Sequence, residues 1–141
     1  MRTTMDKSVT GNRDAALLIG RVLLGSLFLI VAYGKMRGLE GTTGYFTKLG
    51  LPAPSILAPA TMVFETVAGI LLIIGYHTRL VALLIGAFVL VAALAAHTNV
   101  ADGNQLNHLL KNLAILGGAL ALYVSGPGIY SIDGKQGHHG R

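Results

Sequence analysis

The chain has 141 residues, of which 52% are hydrophobic, only 12% charged and none cysteine, with a mean hydropathy of +0.62. That composition excludes an ordinary soluble domain, and the lack of cysteine excludes disulfides, thiolate metal sites and a resident redox thiol. The formal charge of +5 is scattered between apolar runs, so it reads as a membrane-topology signal and not as a nucleic-acid surface.

Residues 1–14 are mixed and polar and read as a cytoplasmic N-terminal segment, with Asn12 or Asp14 placed to cap a first helix. Four apolar runs follow, at about 15–33, 56–75, 79–97 and 108–124, each close to the ~20 residues that cross the hydrocarbon as a helix. The first has no small-residue cleavage site after it and is expected to be retained in the membrane. Between the first and second runs, the segment 41–52 is too short to span. It puts Tyr45, Phe46 and Leu49 on one face and ends in Gly50 and Pro52, which predicts a short interfacial helix that serves as an anchor or as a lid over the bundle mouth. The second span is expected to start after Pro54-Ser55 with Ser55 as its cap, to tolerate Pro59 in its first turn, and to stop at Gly75. Tyr76-His77-Thr78 is tight enough to make the second and third spans antiparallel neighbours. Small residues suit close helix approach, here Gly86, Ala92, Ala93, Ala95 and Ala96 in the third span and Gly117, Gly118 and Ala121 in the fourth. The loop 97–108 is polar without Lys or Arg, Gly126-Pro127-Gly128 ends the fourth span, and 134–141 reads as a disordered tail. Its His138-His139 pair lacks the further ligands that a metal site needs.

Cation placement sets the expected orientation. Arg2, Lys7, Arg13, Arg79, Lys135 and Arg141 fall on one side, against Lys35, Arg37, Lys48 and Lys111 on the other, so both termini are expected in the cytoplasm. The fold class is therefore an all-α membrane protein, a four-helix transmembrane bundle over 15–133 with an interfacial helix between the first two spans.

Glu65 lies inside an apolar run, where a carboxylate costs at least ~2.5 kcal/mol unless it faces the bundle interior or a partner. With a rise of ~1.5 Å per residue, Arg21 sits about 9 Å and Glu65 about 15 Å above the inner membrane face, within reach of each other as a buried pair. A register-fixing ion pair is the plain reading of the two; a functional carboxylate is the sharper one. Lys35, with Met36 and Arg37, would on the plain reading reach for lipid headgroups. Together with Arg37, His97, His108, Lys111 and Asn112 it would otherwise form the outer part of a polar pocket above Glu65, with His108 and Lys111 sharing a helix face. Such a pocket suits a flat ring with carbonyl or hydroxyl oxygens and a lipid-soluble tail, as in a quinone. His97 and His108 match no metal-ligand spacing, so no metal and no covalent cofactor is indicated.

The order Arg21, Gly34-Lys35-Met36, Gly50-Leu51-Pro52, Glu65, Gly75-Tyr76-His77-Thr78-Arg79, His97, Lys111-Asn112 and Gly126-Pro127-Gly128-Ile129-Tyr130-Ser131-Ile132-Asp133 resembles the DoxX family across residues 15–133. The resemblance implies a small multi-pass protein of the bacterial inner membrane. Some members of that family look like the small membrane subunit of a thiosulfate:quinone oxidoreductase, and others are linked to redox homeostasis, to resistance to quinone-like compounds or to partner redox enzymes. The leading reading is the membrane component of an oxidoreductase system, with Glu65 as proton acceptor, Arg21 setting its charge, and His97, His108 and Lys111 orienting the ligand oxygens. Two others stay open: a homo-oligomeric small-molecule transporter coupled through Glu65, and a non-catalytic scaffold for a partner enzyme.

Overall fold

The structure, a computed structural model, describes residues 4–138. Six helices follow one another: α1 (Thr4–Arg37), α2 (Leu39–Lys48), α3 (Pro54–Ile74), α4 (Thr78–Ala96), α5 (Gly103–Ser125) and α6 (Ile132–His138). Four of them, Gly11–Arg37 within α1 and the whole of α3, α4 and α5, are long and apolar enough to cross a membrane. A lipid surround is the physical reason that large apolar side chains such as Leu23 on α1, Val91 on α4 and Val124 on α5 point outward. The helix α2 buries none of its residues and lies between the first two spans.

The spans pack as two antiparallel pairs, α1 with α3 and α4 with α5. Glycine makes the first pair possible. A Cβ on Gly25 would sit 2.6 Å from the Gly69 carbonyl oxygen, and one on Gly69 would sit 2.8 Å from that of Gly25, so the two backbones touch where lipid supplies no hydrophobic drive. In the second pair, Gly86 of α4 receives Leu116 and Ala119 of α5. A core of Phe28, Ala68, Leu72, Val81, Ile85 and Leu122 joins the pairs.

Several local expectations change. The first helix runs through Asn12 and Asp14 back to Thr4, and the Asp14 carboxylate accepts the Ile129 amide instead of capping its own helix. Ser55 caps nothing; α3 starts at Pro54, behind Ala53 in a left-handed conformation (φ 43°), which moves Pro59 into the second turn. The polar loop before the fourth span is shorter than 97–108, because Asp102 accepts the Asn104 and Gln105 amides and starts α5 there. Gly117 and Gly118 face open space within this chain, and Ala121 is exposed, so the packing expected of them falls to Gly86 and Ala119. Gly134 to His138 belong to α6, while residues 139–141 lie outside the described chain.

Candidate functional site

Between the two helix pairs, at the end of the bundle covered by α2, lies a cavity of about 810 Å³. Its floor is aromatic: Phe28 and Phe64 pack on Phe88, with ring centroids 6.4 and 4.8 Å apart. Its roof comes from Tyr45 and Phe46 of α2 and from Leu49 just after it, and one wall from Ala92, Ala95 and Ala96 of α4. Those alanines were expected to bring helices together; lining the cavity, they create its width instead. A predominantly apolar cleft with a few convergent polar groups is the usual form of a small-molecule site.

Of the side chains singled out from the sequence, Lys35, Glu65, His97, Lys111 and Asn112 line this cavity, and Arg21, Arg37 and His108 do not. Glu65 is 3% exposed, and its Oε1 accepts a hydrogen bond from Lys35 Nζ at 2.6 Å. The same ammonium lies 6.0 Å from the Phe88 ring centroid, close enough for a cation–π attraction. Glu65 therefore takes its cation from Lys35, and the Arg21 pairing does not form. The reason lies in how helical side chains lean. Each points toward the N-terminus of its own helix, and α1 and α3 run in opposite directions. Lys35 leans down into the bundle and Glu65 leans up toward it, whereas Arg21 leans away toward the opposite end. The second carboxylate oxygen, Glu65 Oε2, is buried and has no hydrogen-bond partner among the described residues.

Beside the cavity, the rings of His97 and His108 stack with centroids 4.9 Å apart and 18° between planes. Gln105 Oε1 lies 2.7 Å from His97 Nδ1, and an amide oxygen only accepts, so His97 carries its proton there and leaves Nε2 as an acceptor. Lys111 Nζ donates to His108 Nδ1 at 3.2 Å. His108 thus touches two cavity-lining side chains, the ring of His97 and the ammonium of Lys111, without lining the cavity itself. Sequence reasoning missed the three phenylalanines and Gln105; Phe64 adjoins Glu65, but the floor it forms comes from three different helices and leaves no local pattern.

Arg21 serves a separate structure at the other end of the bundle. It is fully buried; Nη1 donates to the carbonyls of Leu72 and Ile73, each at 3.2 Å, and Nη2 to that of Tyr130. The Ile73 carbonyl near the end of α3 gains a donor in this way, and that of Leu72, which also accepts the Gly75 amide, gains a second. The segment after α5 completes the clasp: the Asp133 amide donates to the Gly75 carbonyl at 3.0 Å, and the Asp133 carboxylate accepts the amides of His77 and Thr78 at 2.9 and 2.8 Å. It therefore caps α4 from 55 residues away. His77 holds a left-handed backbone (φ 47°) and Gly75 another (φ 70°), and a Cβ on Gly75 would fall 2.2 Å from Arg21 Nη1. Burial pushes the Asp133 carboxyl up, but the Thr78 and His77 amides outweigh that and hold it below its ordinary value. A depressed folded-state value contributes stability above the unfolded-state value of about 3.9, lost as pH falls through the folded one. Asp133→Asn leaves one acceptor oxygen where the carboxylate serves two amides through separate oxygens, and is expected to lower stability by about 1 kcal/mol at pH 7, with the difference from wild type closing below the carboxylate range. Thermal melts at pH 7 and pH 3 check it; a gap that does not narrow in acid would contradict the cap.

The chain is 37% identical over 120 residues to the Escherichia coli (strain K12) protein "Inner membrane protein YqjF", covering 85% of this chain and 91% of that protein. It is 36% identical over 126 residues to "Inner membrane protein YphA" of the same organism, covering 86% and 90%. Over 110 residues it is 33% identical to the Bacillus subtilis (strain 168) protein "Putative oxidoreductase CatD", covering 74% and 81%. No solved structure matches. The DoxX family model matches residues 16–98, the stretch that carries α2, the Lys35–Glu65 pair, the aromatic floor and His97, and the chain belongs to the DoxX family.

Proposed function

We propose that this protein is a component of an oxidoreductase system of the bacterial inner membrane and that the cavity under α2 takes a quinone or a similar small redox molecule. The observation that supports the reading is an apolar cavity of about 810 Å³ with a buried Lys35–Glu65 pair set directly above an aromatic floor. The phenylalanines suit the faces of a flat ring. Glu65 stands as proton acceptor, Lys35, Lys111, His97 and Asn112 supply polar contacts for ring oxygens, and His108 positions His97. The electrons go to or come from a partner redox enzyme, since this chain has no cysteine to hold them. The names of two relatives, YqjF and YphA, place them in the inner membrane, and the third carries the name "Putative oxidoreductase CatD". The cation distribution orients the clasp and both termini toward the cytoplasm and the cavity toward the outside.

Filling the cavity tests the reading. Purified protein in detergent is titrated with a decyl-tailed benzoquinone while its thermal stability is followed; ligand at a hundredfold its Kd stabilises the folded state by about 2.7 kcal/mol. In Ala92→Phe, whose side chain enters the cavity from α4, the gain is expected to disappear while the unliganded protein stays folded. A quinone shift of wild-type size in that variant would place the ligand elsewhere.

A further inference from the structure

The two helix pairs part at the end of the bundle covered by α2. At the opposite end α3 and α4 are joined by the turn Gly75-Tyr76-His77, and further along them Phe64 packs on Phe88. Beyond those rings the space between the two helices is cavity, lined by Leu57, Ala60 and Thr61 on α3 and by Ala92, Ala95 and Ala96 on α4. The cavity also reaches side chains that face lipid. Ala60 is exposed and shares its helix face with Ile56, Val63 and Val67, all of which point outward. Val91, 65% exposed, stands on the outward stripe of Leu80 and Leu84, and it too lines the cavity. A cavity bounded by the lipid-facing edges of two helices opens to the hydrocarbon between them. The rim of that opening, Ala60, Val91 and Ala95, is apolar and mostly small. The other sides suit a hydrocarbon chain less well: the roof at α2 lies toward the aqueous phase, and on the α1–α5 side the cavity meets the surface at Val31 and the exposed Lys111, whose ammonium a chain would have to desolvate.

We infer that the cavity loads sideways from the leaflet on the α2 side, through the gap between α3 and α4, and that its ligand is a membrane-dissolved amphiphile whose ring occupies the cavity while its hydrocarbon chain passes out between Ala60 and Val91 into lipid. The inference rests on the cavity being the ligand site and adds the route of entry and the class of ligand that can use it. The length of the chain is then not read by the protein. Methylenes beyond the gap stay in the lipid they occupied before binding, and lipid tails are as apolar as the side chains at the rim. Selection falls on the ring, which alone reaches the Lys35–Glu65 pair and the aromatic floor.

The test closes the rim. Ala60→Trp combined with Val91→Trp adds bulk on both sides of the gap at positions that face lipid, and Leu83→Trp, exposed on α4 and outside the cavity lining, is the control. Equilibrium binding to the full-length protein in lipid nanodiscs is measured for decyl-tailed benzoquinone and for the same ring carrying a methyl group in place of the chain, with concentrations counted per lipid so that partitioning cancels. Wild type is expected to bind the two with Kd values within about threefold of each other, because the chain stays in lipid. In the double variant the decyl compound is expected to bind at least about tenfold more weakly, through crowding of its chain, while the methyl compound stays within about threefold of wild type. Leu83→Trp should change neither. Should the double variant fold poorly, either single change serves, with the same expected pattern. Equal weakening of both compounds, or weakening of neither, would overturn the lateral route while leaving the cavity as the ligand site, and so would a methyl compound that fails to bind wild type when the decyl compound binds. Binding of neither compound to wild type would overturn the site assignment and the inference with it.

Discussion

Lys35→Met is expected to destabilise the folded protein by about 3 kcal/mol, the lower end of the range for breaking a buried ion pair, because the lysine keeps 19% of its side-chain exposure while Glu65 keeps 4%. The loss arises from stranding Glu65, a short buried side chain whose ion pair among the described residues is with Lys35. Glu65→Gln should cost about 1 kcal/mol, since the longer lysine can swing its ammonium toward the membrane surface. The double variant Lys35→Met with Glu65→Gln should recover most of the single-lysine loss, as removing a whole buried pair is often close to neutral. Denaturation in mixed micelles, followed by circular dichroism, gives the three values and their coupling. Additive losses in the double variant would mean that the two side chains do not act as a pair.

Arg21→Met is expected to cost about 3 kcal/mol or more, for a different reason. The guanidinium reaches two carbonyls on α3 and one after α5, and each buried acceptor left without its donor costs roughly 1–3 kcal/mol. Arg21→Lys should recover only part of the loss, because a single ammonium cannot fork to three carbonyls from one position. The decisive comparison is with ligand affinity. Protein that remains folded should bind the decyl-tailed ring compounds with wild-type Kd, since Arg21 does not line the cavity. A variant of normal stability with weakened ligand binding would return Arg21 to the ligand site and sink its assignment to the clasp.

The two predictions separate groups that look alike in the sequence. Arg21 lies inside the first apolar run and Lys35 just past its outer end, and axial distance alone favours Arg21 as the partner of Glu65. What divides them is the lean of side chains on antiparallel helices, which sends Arg21 to one end of the bundle and brings Lys35 and Glu65 together. The same geometry turns Asp133, an unremarked acid in the closing motif, into the cap of a helix 55 residues earlier in the chain. Its role depends on α5 returning the chain to the end where α3 and α4 turn.

By itself the sequence determined that this is an all-α membrane protein with four spans, a short helix after the first, and terminators at Gly50, Gly75 and Gly126, because span length, apolar composition and glycine backbone freedom are local properties. It also pointed to Glu65, because a lone acid in an apolar run stands out without reference to anything distant. Only the tertiary structure decided what surrounds that acid. Phe28, Phe64 and Phe88 come from three helices, the alanines of α4 set a cavity width instead of a helix contact, and the choice between Arg21 and Lys35 rests on directions in space that spacing along the chain does not encode.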